Sequence, residues 1–517
     1  MPVSVSYRRD RRVVVVGAGS NGLICAIHLA RAGLDVTVLE HAPRPGGASR
    51  SVAATLPGFV HDHCAGFNPM TVASPAMREL ELETEGLRWI RPEAIMAHPF
   101  ADGTAISLHH DLERTVASLE RGSPGAGVAW RGLIERYRPL ADRLVEAILS
   151  PLPPVRHGVA LAAALRRDML LLARRMAGSI EAFGLDVFDG ASRPTAWLSG
   201  SAQHSGLAPS TAGSGAFGFL LVLLAHAGGW PFPEGGQQRI TDALLAIAAR
   251  EGVTVRCDAH VEQILVRAGR TVGVALRDGE ELPARDVVTT ISASPLAAML
   301  PAGALPDRLV RRLRIWRYST AAFKLDYALD RPVPWTAAEA REAAVVHVGG
   351  ELRELAAAAE AAQRGDLPER PAVVIGQHTQ FDPSRAPAGQ HTLYCYAHMP
   401  RRYNASDQDV AGLIEDQLER FAPGFAGTVK GRAIRNPAQT EAENPSLVGG
   451  DLGGGTYELD QQLVFRPAPE LCRHRTPLKG LYVTGASVHP GGSVQGMGGR
   501  SAARALLADR RLRPWRA

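Results

Sequence analysis

The sequence predicts an α/β fold built from two interleaved domains, and three observations carry that prediction. A β-branched run near the start leads into a Gly-x-Gly-x-x-Gly loop and a helix. A second strand, glycine-rich loop and helix stand near the end, and a group of short strands lies midway. At 517 residues the chain is long for one core, since cores stop growing beyond about 250–300 residues and chains split into domains.

The first element is the run Val13 to Val16, apolar and β-branched as expected of a buried parallel strand. Gly17, Ala18, Gly19, Asn21 and Gly22 follow, then an apolar helix ending at Gly33 and a second strand, DVTVLE, ending on Glu40. This is a complete Rossmann-type βαβ unit. Gly17 permits the tight turn, Gly19 lets a pyrophosphate approach the backbone at the positive helix end, and Gly22 lets helix and strand pack closely. Glu40 closes the second strand where a carboxylate accepts from the ribose hydroxyls of a dinucleotide and repels a 2′-phosphate. His28, in mid-helix, reads as a packed or surface histidine.

A second glycine pair, Gly46 and Gly47, comes directly behind Glu40 in HAPRPGGASRS. NAD sites do not require it. The arrangement resembles the extension found in FAD-binding oxidoreductases, where this loop wraps the adenosine ribose and pyrophosphate. The resemblance implies FAD as the cofactor and Arg44 as a pyrophosphate neighbour, against the plain reading of Arg44 and Arg50 as solvated arginines.

From Leu112 to Ile180 the apolar spacing is helical, interrupted near Pro151. The stretch LAAALRRDMLLLARRMAG reads as one helix with Arg166, Arg167, Arg174 and Arg175 beside a Leu/Met face. Either that basic face lies in water over a pocket, or the helix makes peripheral contact with a membrane surface. The Gly235–Gly236 turn then opens an amphipathic helix to about Arg250. Strands are expected at 253–257, 260–266, 271–277 and 286–291, with a meander among them. This stretch is similar to the returning segment of FAD oxidoreductases, in which the residue matching Val261 presents backbone to the adenine.

STAAFKLDYAL alternates, with Ala321, Phe323, Leu325 and Tyr327 on one face and Ala322, Lys324 and Asp326 on the other. Lys324 is one of only three lysines, with Lys430 and Lys479, among 57 basic residues. It either meets solvent beside Asp326 or lines a cavity. The loop Gly449 to Gly455 reads as a ligand contact or as an ordinary flexible loop.

The last motif, GLYVTGASVHPGGSVQGMGGRSAARALL, starts with a buried-type strand at Leu481 to Thr484 and ends with a helix from about Ser501. No acid-terminated strand follows it, so it is not a second dinucleotide site. TGASVHPGG resembles the C-terminal motif of the phytoene desaturase family within the amine oxidase superfamily. HAGGWPFPEGGQQ, FKLDYALDRPVPW and FDPSRAPAGQHT resemble the branch that holds bacterial relatives of pyridine nucleotide-disulphide oxidoreductase domain-containing protein 2. The similarity runs over nearly the whole chain.

The resemblance implies an α/β fold in which a Rossmann-type FAD-binding domain is interleaved with a mixed α+β substrate domain. The FAD domain is expected at 1–80, 231–300 and 460–517, and the substrate domain at 81–230 and 301–459. Gly485, Ala486 and Val494 are then the C-terminal flavin contacts, next to the positive end of the last helix. Ala486 stands where many FAD enzymes carry an Asp. No cysteine lies in this loop, so the flavin is expected to be non-covalent.

With one dinucleotide fingerprint and no nicotinamide site, the flavin is expected to take a hydride from a small apolar organic substrate. C–C desaturation is favoured over C–N oxidation, and oxygen, a quinone or another acceptor would reoxidise the flavin. Lys324 is the catalytic candidate, by its similarity to the lysine that amine oxidases place near flavin N5. His489 reads as a loop-holding histidine or as an acid–base group. Two alternatives stand beside this reading: a flavin-dependent isomerase, and a non-enzymatic binding protein of the GDP-dissociation-inhibitor type.

Composition narrows the rest. Net charge is +5 with a pI near 9.1. The basic residues, Arg8, Arg9, Arg11 and Arg12 among them, form no aromatic-flanked stripe, which argues against nucleic acid. The five cysteines are dispersed without a CxxC, so neither a metal site nor a redox dithiol is expected, and a reducing cytoplasm is. No signal peptide is legible, and the apolar run Ala216 to Ala227 falls short of the roughly 20 residues of a membrane span.

Overall fold

The computed structural model describes residues 11–512; the basic stretch with Arg8 and Arg9 lies outside them. Five parallel strands form one sheet, in the order Leu481–Val483, Asp286–Thr289, Arg12–Val16, Asp35–Leu39, Thr254–Arg256. Alternate side chains leave a strand on opposite faces. Val13, Val15, Val36 and Val38 pack under the helices Ser20–Arg31, Gln238–Arg250 and Met497–Leu512. Val14, Val16 and Leu39 pack on the other side, against the strand Val261–Arg267 and the helix Asp307–Arg314. Burial on both faces is why these strands read as unbroken apolar runs.

A seven-stranded mixed sheet forms the second layer: Val429–Arg435, Ala321–Leu329, His391–Met399, Val373–Gly376, Val345–Val348, Ala94–Pro99, Ala105–His109. Its pairs are antiparallel except where Val345–Val348 runs parallel to Ala94–Pro99. Phe323, Leu325 and Tyr327 face the helix Asp407–Phe421. Ala322, Tyr394 and Tyr396 face the helical layer that includes Ser192–Ala202 and Ser214–Gly228.

Four local expectations are corrected. The mid-chain strands Thr254–Arg256 and Asp286–Thr289 belong to the parallel sheet; the meander is Val261–Arg267, Arg270–Leu276 and Glu281–Pro283. The arginine-rich helix is two helices, Val155–Leu165 and Asp168–Ala177, broken where Arg166 takes φ +51°. Asp168, in the first turn of the second helix, pairs with Arg136, and an acid there favours a restart. The last helix begins at Met497, inside the glycine-rich loop. Finally, the strand Ala321–Leu329 is buried on both faces, so Lys324 does not meet solvent.

Candidate active site

The carboxyl ends of the parallel strands share one edge, where open α/β sheets bind ligands. Gly17 turns there with φ +98°, and a Cβ on Gly22 would stand 1.9 Å from Gly17 O. Gly19 caps the helix Ser20–Arg31 with no side-chain hydrogen bond, so the first turn offers bare N–H groups to an anion. Gly46 bridges Gly19, and Gly47 packs on it. The two predicted glycine motifs thus form one surface. Glu40 is oriented by two backbone donors, Ala18 N to Oε2 at 2.8 Å and Ala42 N to Oε1 at 2.9 Å. Ala259 N donates to Glu40 O, which brings Val261 alongside the second strand. Arg44 points into solvent. Arg50 is the arginine that turns inward, with Nε donating to Gly47 O at 3.0 Å.

The C-terminal motif meets this surface from the far side. Asn21 Oδ1 accepts from Gly499 N at 2.9 Å, and a Cβ on Gly499 would lie 2.0 Å from Asn21 O. The helices Ser20–Arg31 and Met497–Leu512 therefore start side by side, two positive ends at one place. Thr484 Oγ1 is buried there without a hydrogen-bond partner. Gly485 approaches the backbone of Thr290, and Val494 O accepts from Thr71 Oγ1 at 2.5 Å.

Arg466 was not anticipated. Wholly buried, it donates to Ala486 O at 2.9 Å and to Gly453 O at 2.7 Å, and so ties the loop Gly449 to Gly455 onto the motif. Asp451 orders that loop by accepting from Ser319 N, Gly453 N and Gly455 N. His489 Nε2 donates to Ser150 O at 2.8 Å, a loop-holding contact.

The ribbon 61–66 folds back from the second glycine loop, with Ala65 N donating to Ala48 O and His63 N to Arg50 O. Beyond it lies Lys324, whose Nζ sits 4.4 Å from the Tyr394 ring centroid and pairs with Asp326 Oδ1. Tyr394 Oη in turn donates to Cys64 O at 2.5 Å. His61 Nδ1 stands 3.5 Å from Asp326 Oδ1. Burial pulls the Lys324 pKa below its ordinary value, with Asp326 opposing. Burial pushes Asp326 up, yet the Lys324 charge and the His61 contact outweigh it and hold the carboxylate ionised. Tyr394, Tyr396 and His398 continue along the same face of the sheet, with ring centroids 5.9 and 5.7 Å apart. His204, from the short turn after Ser192–Ala202, closes over Tyr396. The sequence flagged Lys324 and its neighbour Asp326; the other partners, His61 and Tyr394, come from segments far apart in the chain.

The residues at the strand ends fit FAD. Gly17, Gly22, Gly46 and Gly499 have no room for an added Cβ, Glu40 is aimed by two donors, two helix starts converge, and the orphaned Thr484 hydroxyl lies between them.

Comparison with known proteins agrees. The model of the flavin containing amine oxidoreductase family matches residues 22–507. Pyridine nucleotide-disulfide oxidoreductase domain-containing protein 2 of Rattus norvegicus is 27% identical, over 96% of this chain and 93% of the relative. Hydroxyneurosporene desaturase of Cereibacter sphaeroides is 29% identical, over 96% and 98%. The crystal structure of an oxidoreductase from Methanosarcina mazei superposes with a TM-score of 0.60 at 18% identity, over 96% of this chain and 100% of that one. With the family matched across almost its whole length and the cofactor cradle in place, the chain belongs to the flavin containing amine oxidoreductase family and is an FAD-dependent oxidoreductase.

Proposed function

We propose that this oxidoreductase takes a hydride from a largely apolar organic substrate and that it desaturates a C–C bond rather than oxidising a C–N bond. The main support is the charge of the wall beside the ribbon 61–66. Its buried carboxylates are engaged, Asp326 by Lys324 and Asp62 by Arg385 at 2.5 Å, and Asp451 in the loop Gly449 to Gly455 is engaged by three backbone N–H groups. An ammonium substrate needs a desolvated counter-charge, and none of these three is free to supply it. Kinship with a hydroxyneurosporene desaturase points the same way.

When bound, FAD supplies the hydride acceptor. The chain's residues supply the setting. Tyr394 and Tyr396 exclude water and hold apolar surface. Lys324 holds its proton at Nζ, and Asp326 keeps that ammonium in place. Oxygen, a quinone or another acceptor would take up the electrons that the bound cofactor collects.

The helices Val155–Leu165 and Asp168–Ala177 and the turn between them carry exposed Val155, Val159 and Leu170 among Arg156, Arg166 and Arg167. We propose this face for peripheral contact with an anionic membrane surface. Among the described residues no helix is long and apolar enough to cross a membrane.

The deciding experiment is anaerobic incubation of the yellow protein with a panel of terpenoid and amine substrates. Bleaching with a product two hydrogens lighter and no nitrogen released is the expected result. Release of ammonia with an aldehyde would replace desaturation by amine oxidation. A product of unchanged mass would mark an isomerase.

A further inference from the structure

Tyr396, His204 and His347 form a buried polar chain. Tyr396 Oη lies 3.0 Å from His204 Nδ1, and His204 Nε2 lies 3.1 Å from His347 Nε2. Burial pulls the His204 pKa down to about 4 and holds His347 well below its ordinary value, so at neutral pH each ring carries one N–H. The other nitrogen of His347, Nδ1, is buried without a partner and abuts Gly200. A proton there would be an orphaned N–H, a rarer and costlier state than an unused lone pair. The proton of His347 therefore belongs on Nε2, donating to His204 Nε2. His204 in turn carries its proton on Nδ1 and donates to Tyr396 Oη.

That order of donation leaves the Tyr396 O–H with its own proton still to give. Burial raises its pKa, so the proton stays on. Among the described residues Tyr396 Oη has no second hydrogen-bond partner. Tyr396 is the cross-strand partner of Lys324, which puts their side chains on one face of the sheet. His204 and His398 flank it. Both keep some accessible surface although desolvation brings their pKa values to about 4, the combination expected of side chains lining an internal cavity.

We propose that Tyr396 O–H donates to a neutral oxygen of the substrate, a carbonyl or hydroxyl, beside the C–H bond that is oxidised. The substrate is then an oxygenated apolar molecule, not a pure hydrocarbon. The inference rests on the hydride-transfer reading above and narrows its substrate class. Tyr396 binds the oxygen; His204 and His347 are positioning residues that fix which way the hydroxyl proton points. A hydrogen bond onto a carbonyl oxygen also draws electron density from the adjacent C–H and makes its proton easier to lose.

The test uses the FAD-loaded protein, carbonyl-¹³C cyclohexanone, and the oxygen-free isostere methylenecyclohexane. Affinities come from the perturbed flavin spectrum and from ligand NMR. The expected result is tighter binding of the ketone than of the isostere and a downfield carbonyl shift on binding. Tyr396→Phe should weaken the ketone at least tenfold and leave the isostere unchanged, while His204→Gln reduces the carbonyl shift. Equal ketone affinity in wild type and Tyr396→Phe, equal affinity for the two probes, or no ketone binding overturns the inference. The flavin spectrum is recorded on the same samples. Intact flavin with any of those outcomes strikes this inference alone, whereas protein that holds no flavin strikes the hydride-transfer reading itself.

Discussion

The two ends of the site are made of different materials. The dinucleotide end is backbone: glycines, helix starts and one carboxylate, drawn from the first 47 residues and from a single C-terminal motif. The substrate end is side chain: Lys324, Asp326, Tyr394, Tyr396, His61 and His204, drawn from four separated segments. A backbone site tolerates almost no added atoms, whereas a side-chain site tolerates shape changes and fails through charge. Substitutions should separate the two.

The largest effect is expected at the glycine cradle. Gly22→Val drives a side chain into Gly17 O and should give protein without flavin, or no folded protein, read by absorbance at the flavin bands and by circular dichroism. Next comes Lys324→Met. It strands Asp326, a buried carboxylate, at a cost of about 3–5 kcal/mol, and should lower Tm by many degrees with flavin still bound. Lys324→Met with Asp326→Leu should recover most of that loss. Recovery of nothing would mean that the pair is not the source of the destabilisation.

Acid should attack the substrate end first. His204 and His398 are held near pKa 4, chiefly by burial, against about 6.5 in an unfolded chain. Between those values the unfolded state binds more protons, so stability falls as pH drops through 6.5 and keeps falling to about 4. Thermal melts from pH 7 to 4 should show uptake of more than one proton per molecule unfolded. A flat Tm across that window would contradict the buried, neutral rings.

A smaller effect is expected at Glu40. Glu40→Gln turns an acceptor into a donor facing Ala18 N or Ala42 N. It should weaken FAD roughly tenfold, an order consistent with one lost charged hydrogen bond, as measured by flavin release on dilution. The smallest effect is expected at the exposed apolar face. Leu170→Glu should reduce co-sedimentation with vesicles rich in anionic lipid and leave flavin content unchanged.

The same contrast explains what was legible in the sequence. Gly17, Gly19, Gly22 and Glu40 act through spacing along one βαβ unit, and local spacing is visible in a string of letters. Val13 to Val16 announced a doubly covered strand because both faces are apolar. Lys324 was noticed as a rare lysine in an apolar strand, but solvent and cavity stayed open as alternatives: alternation cannot tell water from a second layer of protein. Arg466 and Asp451 acquire their roles only when the loop Gly449 to Gly455 lies against Ala486. Tyr396, His204 and His347 meet only after the mixed sheet and the helical layer close. Arg44 and Arg50 flank the same glycine pair in the sequence, and only the fold shows that Arg50 turns onto Gly47 O while Arg44 is exposed.

The most direct test of the central claim is the absorption spectrum of the purified protein between about 300 and 550 nm, before and after denaturation. The site described here predicts twin flavin bands that pass into the supernatant on unfolding, as FAD held by backbone and one carboxylate must. A colourless protein that also fails to take up added FAD would contradict it.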